Sequence, residues 1–165
     1  MELSLSKPDS QDGNEVHQLV ARCKPLDENS VYCNLLQCDH FADSSIIAKK
    51  EGHVVGFVSG YVLPKQPTTL FVWQVAVDER QRGTGLASKM LNSLLERAEL
   101  AGITHLETTI TADNEGSWAL FTRLASTLET TLSKRAYYTS EAHFKGEHDT
   151  EWLVSVGPFS IKSGA

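Results

Sequence analysis

The 165-residue chain is poor in the features that mark several large classes of protein. Its three cysteines, Cys23, Cys33 and Cys38, are odd in number and have no Cys-x-x-Cys spacing or paired histidines beside them, so packing rather than disulfide or metal chemistry is expected. No run approaches the roughly 18 apolar residues that a membrane helix needs, and no signal peptide precedes the cysteines. The expected setting is a reducing cytoplasm. Basic residues are outnumbered, 15 against 21 acids for a net charge of −6. That balance argues against nucleic acid as a partner and suits a small cationic substrate. Internal repeats and domain linkers are also missing, so the 41% apolar content is expected to form one core in a single domain over 1–157. The small, polar stretch 158–165 reads as a loose tail.

Periodicity places elements of both kinds along this chain. Leu3 and Leu5 alternate as a short strand; Gly13 to Cys23 reads as a helix through Val16, Leu19 and Val20, closed by Pro25; Ser30 caps a second helix, Val31 to Asp39. Ser45 to Lys49 and Val54 to Leu63 form a hairpin about Glu51-Gly52, and Pro64 and Pro67 break the chain before a strand from Leu70 to Val77. His105 to Thr111 alternates again, Asn114 or Asp113 caps the helix that carries Trp118, Phe121 and Leu124, and Thr130 to Lys134 and Glu151 to Val156 are late strands. Strands and helices in mixed order predict an α/β fold whose sheet is partly antiparallel.

The most informative stretch runs from Trp73 to Ala87. Trp73, Val75 and Val77 alternate with Gln74 and Ala76, and the pattern then changes to Leu86, Met90, Leu94 and Ala98, which predicts a helix from Thr84 to Ala101, ahead of Gly102. The turn between them holds Gly83 and Gly85, flanked by Arg80 and Arg82. Unpaired N–H groups in the first helical turn, the helix dipole and the arginines together make an anion site suited to a diphosphate. Two other phosphate loops are excluded. A Walker loop requires a different spacing and a final Ser or Thr, and a dinucleotide fingerprint requires glycine where Ser88 stands.

Arg80, Gly83 and Gly85 behind Val75 and Val77 resemble the acyl-CoA motif of the GNAT superfamily of N-acetyltransferases, and the run from Ala112 through Asn114, Ser117 and Phe121 to Leu124 resembles its second signature. The resemblance implies a central, mainly antiparallel mixed sheet flanked by helices and splayed between strands four and five. It also implies acetyl-CoA as cosubstrate, with no metal. The matching cofactor positions are Val75, Ala76, Val77, Arg82, Gly83, Thr84, Gly85, Leu86, Ala87, Asn114, Ser117, Trp118 and Phe121. Backbone N–H near Val75 is implied as the donor to the acetyl oxygen. Many members carry a tyrosine where this chain has Phe121, which cannot donate a proton to the thiolate; that role is left to Tyr32, Tyr137, Tyr138, a water, or the proton that leaves the amine.

Stretches Pro25 to His40, Thr69 to Val77 and Glu147 to Trp152 resemble one branch of that superfamily, the diaminobutyrate acetyltransferases of ectoine synthesis. What this implies is a homodimer that acetylates the γ-amine of a small diamine. The residues implied to contact substrate are Asp27, Tyr32, Trp73, Val75, His148 and Glu151, with Glu151 as the base and His148 the next candidate. An ammonium cannot attack a thioester until it loses a proton, so a base or proton path is required. On residues alone other acceptors stay open: a polyamine, an aminoglycoside, a peptide amine, or none, in an acyl-CoA sensor.

Overall fold

Glu51 and Gly52 both hold positive φ, 53° and 78°, the conformation that a two-residue hairpin turn demands. They join β2 (Ile46–Lys50) to β3 (His53–Leu63) in the computed structural model, which describes residues 2–24 and 26–161. Outside β2 lies β1 (Leu3–Ser6), and inside β3 lies β4 (Gln66–Val77), all three contacts antiparallel. A crossover then brings β5 (His105–Thr111) parallel to β4, and β6 (Leu132–Tyr138) and β7 (Glu151–Val156) complete the sheet. Among the described residues the sheet has seven strands in the order β1-β2-β3-β4-β5-β7-β6. The expected α/β architecture, mainly antiparallel with a mixed centre, is the observed one.

Both faces of the sheet are covered. One carries α1 (Gly13–Arg22) and α2 (Val31–Asp39), which pack Val16, Leu19, Val20 and Cys38 against Ile47, Phe57 and Ala76. Ser30 caps α2 by accepting from Cys33 N–H. On the other face, α3 (Leu86–Leu95) and α4 (Glu115–Thr127) bury Met90, Leu91, Leu94, Phe121 and Leu124 against Val58, Val72 and Leu106. No helix among the described residues is long and apolar enough to cross a membrane.

Four boundaries differ from the sequence reading, each for a physical reason. The helix expected to run from Thr84 to Ala101 occupies only Leu86–Leu95, because the chain turns extended at Arg97, whose guanidinium donates to the carbonyls of Ala42, Asp43 and Ser45. Pro67 lies inside β4 rather than before it; the register jumps from Leu63↔Gln66 to Val62↔Leu70, so no ladder bond is asked of the proline. The strand expected to end at Lys134 continues to Tyr138 by pairing with β7. Nor does a loose tail begin at Pro158: Phe159 is buried, its N–H donates to Thr104 O, and Ile161 packs on the core. Pro25 and residues 162–165 lie outside the described residues.

Candidate active site

The site begins with an irregularity in β4. Ser59 pairs with Gln74 but Gly60 pairs with Val72, so Trp73 is an extra residue, a β-bulge. Before it Leu70 and Val72 face the α3–α4 core; after it Val75 and Val77 do so, while Ala76 faces α1 and α2. Edges change likewise. Gln74 N–H donates to Ser59 Oγ at 3.1 Å and Asp78 N–H to Val55 O at 2.8 Å, both towards β3, so the alternation of a strand turns the N–H groups of Val75 and Val77 the other way.

That other way is a fork. The β4–β5 register covers Thr69 to Phe71 against His105 to Glu107; Thr108 Oγ1 then donates to Val72 O at 2.9 Å, and the strands part. Two cavities open there, of about 800 and 830 Å³, and both are lined by Leu26 and Asn114.

Gly83 and Gly85 shape the first cavity. Each holds φ +80°, and an added Cβ would meet nothing within 4 Å at either, so the glycines serve the turn and keep the backbone open to a ligand. Leu86, Ala87 and Ser88 form the first turn of α3 beside them, and Val75, Val77, Asn114 and Ser117 line the same space. Arg82 lines it as well; Arg80 does not, being solvent-facing beside Asp78. Asp78 caps the single turn that follows β4, and its carboxyl is held below the ordinary range first by Arg80 N–H and then by Arg22, 3.0 Å away. The other residues expected here are not on that lining. Thr84 Oγ1 donates to Gln81 O, Ala76 points to the opposite face, Trp118 Nε1 donates to Thr111 O beneath Lys134, and Phe121 is core.

Sequence reasoning missed Lys24 and Arg123, two cations on this lining. A signal for Arg123 was present: Gly116, Ser117, Leu120 and Arg123 recur at helical spacing and form the face of α4 turned to the cavity.

The second cavity brings together Asp27, Trp73, His148 and Glu151. Asp113, Glu115, Glu147 and Asp149 add four carboxylates, and the described lining carries no Lys or Arg, so a cation is favoured. His148 has a defined role for each ring nitrogen. Nδ1 lies 2.6 Å from Asp149 O, which can only accept, so the proton is on Nδ1 and Nε2 is turned to Glu151 Oε2 at 3.8 Å. Phe144 stacks on the same ring with centroids 4.5 Å apart. Hydrogen bonds from Thr139 N to His143 Nδ1, Gly146 N to Ser140 O and Ser140 N to Thr150 Oγ1 fold the β6–β7 connection that carries it. Across the cavity, Gln74 Nε2 donates to Asp27 O at 2.8 Å and Asn29 Nδ2 to Gln74 Oε1 at 3.2 Å.

Tyr32 is not brought to this group. It sits in the first turn of α2, 69% exposed, and lines neither cavity. Tyr137 and Tyr138 pack against each other in a tilted contact, centroids 4.5 Å apart, and line neither as well.

Residues 13–125 match the model of the Acetyltransferase (GNAT) family. The chain belongs to that family. As a GNAT acetyltransferase it uses acetyl-CoA as its acetyl donor. It is 50% identical to the L-2,4-diaminobutyric acid acetyltransferase of Methylotuvimicrobium alcaliphilum, over 95% of this chain and 91% of the relative. To the enzyme of the same name from Halomonas elongata it is 49% identical, over 95% and 82% of the two chains. Among solved structures, the diaminobutyrate acetyltransferase of Paenibacillus lautus, in complex with its substrate L-2,4-diaminobutyric acid and coenzyme A, matches with a TM-score of 0.92 at 36% identity, covering 99% of both chains. These relatives put this GNAT chain in the diaminobutyrate acetyltransferase branch. At 16% identity and a TM-score of 0.74, Ard1 of Thermoplasma volcanium shares the fold.

Proposed function

We propose that this acetyltransferase moves the acetyl group of acetyl-CoA to the 4-amino group of L-2,4-diaminobutyrate, giving N4-acetyl-L-2,4-diaminobutyrate and CoA by direct attack in a ternary complex. The observation that carries the reading is the pair of abutting cavities at the fork, one with a glycine turn, Arg82 and a helix start, the other lined by carboxylates. The pyrophosphate takes the N–H groups at the start of α3 together with Arg82, and Lys24 and Arg123 supply further charge. The pantetheine arm runs along the free edge of β4 to Val75.

Regioselectivity follows from charge. Asp27 and the acids around it hold the α-ammonium, and Trp73 offers a π face to the cation, a contact of about 0.5–2 kcal/mol. Thr109 is a donor on the lining for the α-carboxylate. The γ-ammonium gives its proton to Glu151, directly or through water, with Nε2 of His148 beside it to accept in turn. The amine lone pair then forms the C–N bond. Backbone N–H of Val75 stabilises the oxyanion, a donor typically worth about 3 kcal/mol. Collapse breaks the C–S bond, and the thiolate takes the proton lost by the amine; Phe121 cannot supply one, and the three tyrosines considered for that step lie off the cavity.

Thiol release from acetyl-CoA across diaminobutyrate, polyamines, aminoglycosides and peptide amines tests the acceptor. Turnover with spermidine or a peptide and none with diaminobutyrate would sink the assignment, and NMR of the product checks the γ-position. We further propose a homodimer in a reducing cytoplasm, supported by the exposed aromatic rings of Tyr32, Tyr137 and Tyr138 and by three free cysteines. Light scattering on the eluting protein tests the dimer.

A further inference from the structure

We propose that Gln74 is a positioning residue for the acceptor: its carboxamide clamps the segment from Asp27 to Asn29 onto β4 and so fixes where the Asp27 carboxylate meets the substrate ammonium. The inference rests on the acceptor assignment above.

Gln74 is 8% exposed in the interior of β4, a place where burial favours an apolar side chain unless every polar atom is satisfied. Every group on it is used. Its backbone N–H goes to Ser59 Oγ at the bulge, Nε2 donates to Asp27 O at 2.8 Å, and Oε1 accepts from Asn29 Nδ2 at 3.2 Å. Since both ends of the amide are engaged with opposite polarity, its orientation is set; flipped, it would turn Oε1 against the Asp27 carbonyl. The segment it holds has no helix or strand of its own, lies between α1 and α2, and exposes Asp27. These two bonds span 45 and 47 residues of sequence and tie that segment to the sheet. The residue that fixes the amine-binding wall is thus chained directly to Val75, whose N–H is turned to the fork where the acetyl carbonyl is proposed to lie. Spacing between nucleophile and electrophile is thereby set within one short stretch of strand.

The test starts from wild-type enzyme that acetylates diaminobutyrate; wild type inactive towards it overturns the acceptor assignment itself. In Gln74→Leu, loss of two hydrogen bonds raises the KM for diaminobutyrate roughly tenfold and leaves the KM for acetyl-CoA unchanged. In an Asp27→Asn background the same change has little further effect, because what Gln74 positions is already gone. An unchanged diamine KM, an equal rise for both substrates, or additive effects in the double variant would each overturn the role of Gln74 while leaving the acceptor assignment standing. If Gln74→Leu melts below the assay temperature, Asn29→Ala, which removes one bond at a half-buried surface position, decides: a smaller rise in the diamine KM alone supports the clamp, and no rise refutes it.

Discussion

Nε2 of His148 stands 3.8 Å from Oε2 of Glu151, while Nδ1 of the same ring is committed to the Asp149 carbonyl. One nitrogen anchors the ring and the other faces the acid, the arrangement on which the proposed proton path rests. Glu151→Gln keeps the shape and removes the proposed base. A loss of about 100-fold in kcat near neutral pH is expected, partly recovered at higher pH where more of the amine is already free. Full turnover by this variant at neutral pH would remove Glu151 from the path, and a pH–rate profile is the measurement.

Arg123 offers a way to separate the two substrates kinetically. It lines the cavity assigned to acetyl-CoA and is absent from the acid-lined one. Arg123→Ala is expected to raise the KM for acetyl-CoA by roughly tenfold, the scale of one charge-assisted hydrogen bond, with the diamine KM unchanged. Steady-state kinetics with each substrate varied in turn would show it, and raising the salt concentration should shrink the difference between variant and wild type.

Asp78 gives stability a defined dependence on pH. Its folded carboxyl is held below the ordinary 3.8 by Arg80 N–H and Arg22, so its contribution is present above that value and is lost as pH falls through the lower folded value. Asp78→Asn keeps an acceptor for Arg80 N–H but removes the charge. Urea midpoints should therefore differ between variant and wild type at neutral pH and converge towards the acid limit of folding. A gap that stayed constant with pH would show that the charge is irrelevant.

Cys38 is held unreactive by its environment. Burial pushes it up to about 12, and the charges of Asp12 and Asp9 act in the same direction. Alkylation of the native protein near neutral pH should leave Cys38 unmodified, with labelling appearing only on unfolding. Peptide mass spectrometry after brief iodoacetamide treatment reads this directly.

What was legible in the sequence is what is written locally. The Ser30 cap of α2, the two-residue turn at Glu51 and Gly52 and the bounds of β5 and β7 depend on neighbours within a few residues, and all were readable. The early end of α3 was not, because the carbonyls that hold Arg97 lie more than 50 residues away. Trp73 shows a third case. The change from apolar even positions, Leu70 and Val72, to odd ones, Val75 and Val77, stands in the sequence, yet from Trp73 onward it reads as one unbroken alternation. At the site, Asp27, Trp73, His148 and Glu151, implied by the resemblance, line one cavity. Tyr32, expected from resemblance alone, lines neither cavity, and Gln74 was passed over because its partners come from a loop with no pattern.

The bulge in β4 absorbs one extra residue and leaves the ladder on either side of it intact. Deleting Trp73 would set Val72 and Gln74 next to each other opposite Gly60 and Ser59, a regular ladder in which Val75 and Val77 keep their N–H groups turned to the fork. What the deletion would take away is the aromatic ring on the acid-lined cavity. Along this strand the bulge therefore adds a side chain to the pocket wall without moving the backbone donors beside it, so wall and backbone can vary separately.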